Sequence, residues 1–187
     1  MAPDRVVFRF VLVLAALLAA LPAAATTLIH QGLDQLVHDN ELVIQGTVSD
    51  LYSYWNADHS VILTDVRVRP TQVIKGTVAD PTGDVTFTVL GGAVGDVTVL
   101  LVDGPDLVAG SDYVLFLTHA GLPGAPNRLT IRDQAQGVFD VVQGRAVSQA
   151  DWESLVPDAR GRIDVPGGDQ GMELQDLLTQ IRGYVDR

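Results

Sequence analysis

A period of two governs the middle of this chain and restricts what it can fold into. Between residues 41 and about 142, Leu42, Ile44, Gly46 and Val48 alternate with Val43, Gln45, Thr47 and Ser49. Ile62, Thr64, Val66 and Val68 alternate with Asp65, Arg67 and Arg69, and Val85, Phe87 and Val89 with Thr86 and Thr88. Further apolar runs follow at 97–102, 113–117, 129–131 and 138–142. Segments rich in Val, Ile, Thr and aromatics, punctuated by turn residues, predict an antiparallel barrel or sandwich. The turn chemistry is explicit at Asp80-Pro81-Thr82-Gly83, Asp103-Gly104-Pro105-Asp106 and Leu122-Pro123-Gly124. The glycines at 91, 92 and 95 predict a turn or bulge, because no helix follows them to receive a phosphate. Pro70 has no amide hydrogen to give a ladder, so it predicts a bend or bulge in the longest strand.

Helical spacing brackets this region. Ile29, Leu33, Leu36 and Val37 predict a helix over about 27–38, capped by Thr26 or Thr27 and ended by Asn40. Leu174, Leu177, Leu178 and Ile181, with Tyr184 or Val185, predict an amphipathic helix over about 170–185, with Asp169 as its N-cap. Residues 158–168, rich in Gly, Arg, Asp and Pro, predict a loose connection before it. A helix, roughly six to eight strands and a second helix make an α+β chain that is mainly β.

Arg5 and Arg9 precede an apolar stretch of about 12 residues, 10–21, and then Pro22 and Ala23-Ala24-Ala25. A positive start, a short apolar core and a small-residue cleavage site predict a secretory signal over 1–25, with the mature chain starting at Thr26. The run is too short for a membrane span, which takes roughly 20 residues, so no stable insertion is expected after cleavage. Residues 26–187 then suit a single β-rich domain, exported to the periplasm or beyond the cell. The chain has no cysteine, which excludes disulfides, thiolate metal sites and thiol nucleophiles together. The formal charge is −11; residues 1–25 contribute a net +1 through Asp4, Arg5 and Arg9, leaving about −12. Lys75 is the sole lysine, so no basic patch is available to phosphates, and nucleic-acid binding is excluded.

The motifs of catalysis do not point to an enzyme. His30, Asp34 and His38 share a helix face, but the histidines lie about 12 Å apart along the axis and cannot meet one ion. His59 and His119 have no metal-ligand spacing, and the serines have no nucleophile-elbow context. An N-terminal Thr26 nucleophile has no organising base in view. The carboxylate pairs Asp103/Asp106 and Asp80/Asp84 read as turn formers rather than calcium loops. No catalytic residue, cofactor or metal is therefore expected. The segment 52–59 is different: Tyr52, Tyr54 and Trp55 cluster where the chain is due to turn, with Asn56, Asp58 and His59 beside them. Aromatics in such a setting either seal the end of a core or form a recognition patch. Tyr52, Tyr54, Trp55, Asn56 and His59 are the candidate partner-binding residues.

Three stretches resemble the netrin-like modules, a group that includes the tissue inhibitors of metalloproteinases. Asn40-Glu41-Leu42-Val43-Ile44-Gln45-Gly46-Thr47-Val48 resembles their first strand, and Val73-Ile74-Lys75-Gly76 the end of a later one. Residues 107–117 are similar to their "Leu-x-x-Gly-x-x-Tyr-Leu" segment, with Leu107, Gly110, Tyr113 and Val114 at the matching positions. The resemblance covers about residues 40–118. It implies a small antiparallel OB-type β-barrel flanked by an N-terminal and a C-terminal helix, with a β-sandwich as the alternative. The inhibitors' Cys-x-Cys start, which chelates the protease zinc, has no counterpart here, so no functional residue carries over. The expectation is a non-enzymatic exported module that binds another extracytoplasmic protein. The alternatives are a structural or carbohydrate-binding envelope protein, and a hydrolase whose site is scattered in sequence.

Overall fold

The computed structural model describes residues 31–78, 80, 82–101, 104–132, 134–150 and 171–186. The expected signal and its cleavage site, His30, the connection 158–168 and Asp169 lie outside the described residues. The elements are α1 (Leu33–Asp39), β1 (Leu42–Trp55), β2 (Ile62–Lys75), β3 (Val85–Leu90), β4 (Gly92–Val94), β5 (Val97–Val99), β6 (Asp112–Leu117), β7 (Val138–Val142), β8 (Arg145–Ser148), β9 (Met172–Glu173) and α2 (Leu174–Val185). A 3₁₀ turn, Gln134–Gly137, leads into β7. The described residues are thus mainly β with two helices, as the periodicity indicates.

Seven strands form one antiparallel sheet in the order β3-β2-β1-β6-β7-β8-β9, and β4 and β5 make a separate hairpin. The long β1–β2 hairpin dominates it. Its register slips at three places, one of them beside Pro70, where Gln45 faces Gln72 and Gly46 faces Pro70, leaving Thr71 as the extra residue. Gly46 is required there: a Cβ on it would lie 2.6 Å from the carbonyl oxygen of Arg69. The pairing gives no closed barrel among the named strands. Backbone contacts nonetheless link β3 to the end of β6 through residues 129–130: Thr88 of β3 donates to the Leu129 carbonyl at 2.8 Å, and Thr118 and Thr130 exchange bonds of 3.0 and 2.9 Å.

Both faces of the sheet's centre are buried. Ile44, Val48, Val66, Val68, Phe87, Leu115, Leu117 and Val138 pack together on one face. On the other, Val43, Val114 and Phe116 meet Leu36 and Val37 of α1 and Leu177, Leu178 and Ile181 of α2. That is why Leu42, Val43 and Ile44 are all apolar, where a strand with one wet face would alternate. The predicted face of α2 is the buried one.

Three boundaries differ from expectation. Helix α1 starts at Leu33 with Gly32 at its N-cap and residues 31 and 32 outside it, where a helix from about 27 was expected, and Thr26, Thr27 and Ile29 lie outside the described residues. Strands continue past residue 142, because Gln143 and Gly144, both with positive φ (51° and 81°), turn the chain back into β8. Helix α2 begins at Leu174, after Glu173 rather than Asp169. The short β9 pairs with β8 first, and the Leu174 amide then donates to the Gly144 carbonyl at 2.9 Å, so sheet pairing sets the helix start. At the other end, Asn40 closes α1 as expected, its side-chain amide donating to the Leu36 carbonyl at 2.9 Å. Lys75 completes that cap. Its ammonium donates to the carbonyls of Val37 at 2.6 Å, Asn40 at 2.7 Å and His38 at 3.3 Å.

Candidate functional site

The β1–β2 hairpin carries the aromatic segment, and its geometry follows from the turn. Tyr52, Tyr54 and Trp55 belong to β1, not to a loop; the chain turns only at residues 56–61. Asn56 builds that turn. Its side-chain oxygen accepts from the amides of Ser60 at 2.8 Å and Val61 at 3.1 Å, and its amide nitrogen donates to the Ser60 hydroxyl at 3.0 Å. Asp58 accepts from the same hydroxyl at 2.8 Å, and Ser60 thereby holds the Asp58 carboxyl below its ordinary range. The turn puts His59 at φ 56°, in the left-handed region that costs an L-residue strain.

Strand alternation sorts the side chains. Tyr52 and Tyr54 share a face with Asp65, which lies opposite Tyr52 in register. Leu51 and Ser53 take the other face, toward Val66 of the core, where Ser53 and Thr64 share a hydrogen bond of 2.8 Å. The two tyrosine rings stack at 5.9 Å between centroids, 21° from parallel. Trp55 and His59 stack at 6.3 Å and 23°. Tyr52 is 65% exposed, Tyr54 and Trp55 are half-buried, and His59 is exposed. Asn56 is buried, with its hydrogen-bonding capacity spent on the turn rather than offered outward.

Asp65 anchors this surface. One of its oxygens accepts from the Tyr54 hydroxyl at 3.0 Å and from the Thr88 hydroxyl at 2.6 Å. The Arg128 guanidinium stands 3.6 Å from the other. Burial, and then the Asp65 charge, push the Tyr54 phenol above its ordinary pKa, so it stays a neutral donor. A cleft of about 310 Å³ opens between the hairpin tip and residues 124–128, walled by Tyr54, Trp55, Pro126 and Arg128. Side chains fixed in this way present contact area with little ordering left to do, the property that favours tight recognition. Asp65 could have been found by counting register back from the turn. Arg128 could not, because it arrives from a remote loop.

Two other clefts flank the sheet. One of about 470 Å³ lies on the opposite face of the hairpin, lined by Leu51, Val89, Leu90, Val99, Leu101 and Leu107 among others. The other, of about 510 Å³, is lined by Glu41, Asp80, Asp84 and His119 over an apolar floor. There the His119 ring contacts Glu41 at 2.8 Å and draws the Glu41 carboxyl below its ordinary pKa. Both partners are about half exposed, so water screens the pair, and it serves to staple the end of β6 to the start of β1. Among the described residues no group of three His, Asp or Glu side chains converges on a metal-sized site, and no helix is long and apolar enough to cross a membrane. No protein-family model matches the chain, and no curated protein matches it.

Proposed function

We propose that this chain is a non-enzymatic, exported binding module whose partner is another protein outside the cytoplasmic membrane. The observation that carries the reading is the exposed, stacked Tyr52–Tyr54 pair, beside Trp55 and a cleft whose Arg128 wall is tied to Asp65. Tyr, Trp and Arg are the residue types that anchor protein interfaces; here the aromatics sit on β1, and Arg128 is held to the sheet through Asp65. The signal-like residues 1–25 support an extracytoplasmic setting.

The finer fold reading belongs to the same proposal. The Thr88–Leu129 and Thr118–Thr130 contacts support closure of β1, β2, β3 and β6 into a small OB-type barrel. The segments that resemble netrin-like modules have matching structural uses: Lys75 caps α1, and Gly76 turns at φ 82° where a side chain would strike the Glu41 carbonyl. OB barrels also bind oligosaccharides. Near-parallel tyrosines could stack on sugar rings, so carbohydrate binding is the second reading and a glycan array its test.

Immobilised mature chain, incubated with the exported protein fraction of its own host, tests the first. It should retrieve a protein whose affinity falls about 30-fold when Trp55 becomes Ala, the equivalent of about 2 kcal/mol. Retrieval of no protein, or of one that binds Trp55→Ala equally well, would refute the proposal.

A further inference from the structure

Strand β1 is 14 residues long, but its two edges are used unequally. On one side β2 pairs with it as far as Trp55. On the other, β6 pairs only from Leu42 to Thr47. Val48 then exchanges bonds with Ser111 at 3.0 Å and Gly110 at 2.8 Å. Beyond that point, among the described residues, no backbone group bonds to this edge.

The pairing tells which groups face outward. The Asn56 amide donates across the hairpin to the Val61 carbonyl at 3.0 Å, and the register runs without a slip from Asp50 to Trp55. Antiparallel bonds alternate, so residues 52, 54 and 56 point their backbone groups at β2, and 51, 53 and 55 point theirs away from it. Sheet edges are ordinarily blunted by a charged side chain, a proline or a covering element. Residues 51–55, Leu-Tyr-Ser-Tyr-Trp, hold neither charge nor proline.

We propose that this edge receives an extended segment of the partner by strand addition, a segment that alternates apolar side chains and carries Lys or Arg. The inference rests on the protein-binding reading above and names the mode. An added strand would project its side chains to both faces in turn. One set would meet Tyr52 and Tyr54. The other would meet Leu51 and the apolar cleft of about 470 Å³ beyond it, where Leu100 stands 85% exposed. Asp50 and Asp112 near the edge, Asp106 in the cleft wall and the net charge of −11 select a cationic segment. The same charge disfavours a second copy of this chain, which would bring like charges together.

The test pans a library of random peptides on the mature chain. Enriched peptides should alternate apolar residues with Lys or Arg. N-methylating one alternate set of their amides should weaken binding at least about tenfold, while methylating the other set should not. Ser53→Pro removes an outward N–H together with the Ser53–Thr64 hydroxyl bond, and Ser53→Ala removes the hydroxyl bond alone, so Ser53→Pro should bind at least about tenfold more weakly than Ser53→Ala at a similar melting temperature. If that variant fails to fold, the methylated peptides decide the matter. Peptides that tolerate both methylation patterns would overturn the proposal. So would a dimer of this chain that Ser53→Pro dissolves, since a second copy would then hold the edge. A partner retrieved from the host that binds while no peptide does would overturn strand addition alone; failure of both would overturn the binding reading with it.

Discussion

Lys75→Met is a sharp test of how the ends of the fold are tied together. The Lys75 ammonium donates to two carbonyls at 2.6 and 2.7 Å and approaches a third at 3.3 Å, all at the C-terminal end of α1. Met keeps most of the stem's volume but gives none of these bonds. A hydrogen bond to a charged group contributes about 1.5–3 kcal/mol, and carbonyls left partly buried without a donor add a desolvation cost. Partial exposure lets water replace part of this, so the net loss should be about 2–3 kcal/mol. Urea slopes for small domains run at about 1–3 kcal/mol per molar, so the midpoint should fall by about 0.7–3 M with an unchanged slope. Lys75→Arg should recover little, because a planar guanidinium cannot direct its donors at three converging carbonyls. A loss under about 0.5 kcal/mol, the range of ordinary surface changes, would refute the claim that this lysine seats α1 on the sheet.

Leu178 is 1% exposed between α2 and the sheet, so Leu178→Ala should cost about 2–5 kcal/mol by denaturant melt; a negligible loss would mean that α2 is not docked. Burial, reinforced by Asp106, raises the Asp140 carboxyl above its ordinary pKa, against an opposing bond from Gln149. The folded state therefore penalises ionised Asp140: the penalty is complete above the raised pKa and vanishes as pH falls below the unfolded value, about pH 4. Asp140→Asn should thus be more stable than the parent at pH 7, by under about 1 kcal/mol given its exposure, with the gap closing below about pH 4. Equal destabilisation at both pH values would contradict that assignment.

Much of this fold was legible because burial leaves periodic traces. The spacing of Leu174, Leu177, Leu178 and Ile181 marked the buried face of α2, and Pro70 marked a bulge. The start of α2 was hidden, since it depends on a two-residue strand pairing with β8 rather than on a capping side chain. The aromatic patch is visible in the sequence but reads as a turn, because polar Ser53 and Asn56 obscure an alternation that runs through Trp55. Asn56 was expected to face a partner, and only coordinates reveal its side chain folded into the turn. The tie from Arg128 to Asp65 spans strands and a loop with no shared motif, which a single sequence does not encode locally.

The central claim is that the Tyr52 surface meets a protein. A photo-reactive benzoylphenylalanine at position 52, in chain exported by its own host and irradiated in place, tests it most directly. Tyr52 is 65% exposed, so the replacement leaves the core untouched. Position 175, on the exposed side of α2, serves as the control. The account predicts a discrete protein adduct from position 52 that is absent from position 175 and lost when Trp55→Ala is added. No adduct from position 52, or the same adduct from both positions, would contradict it.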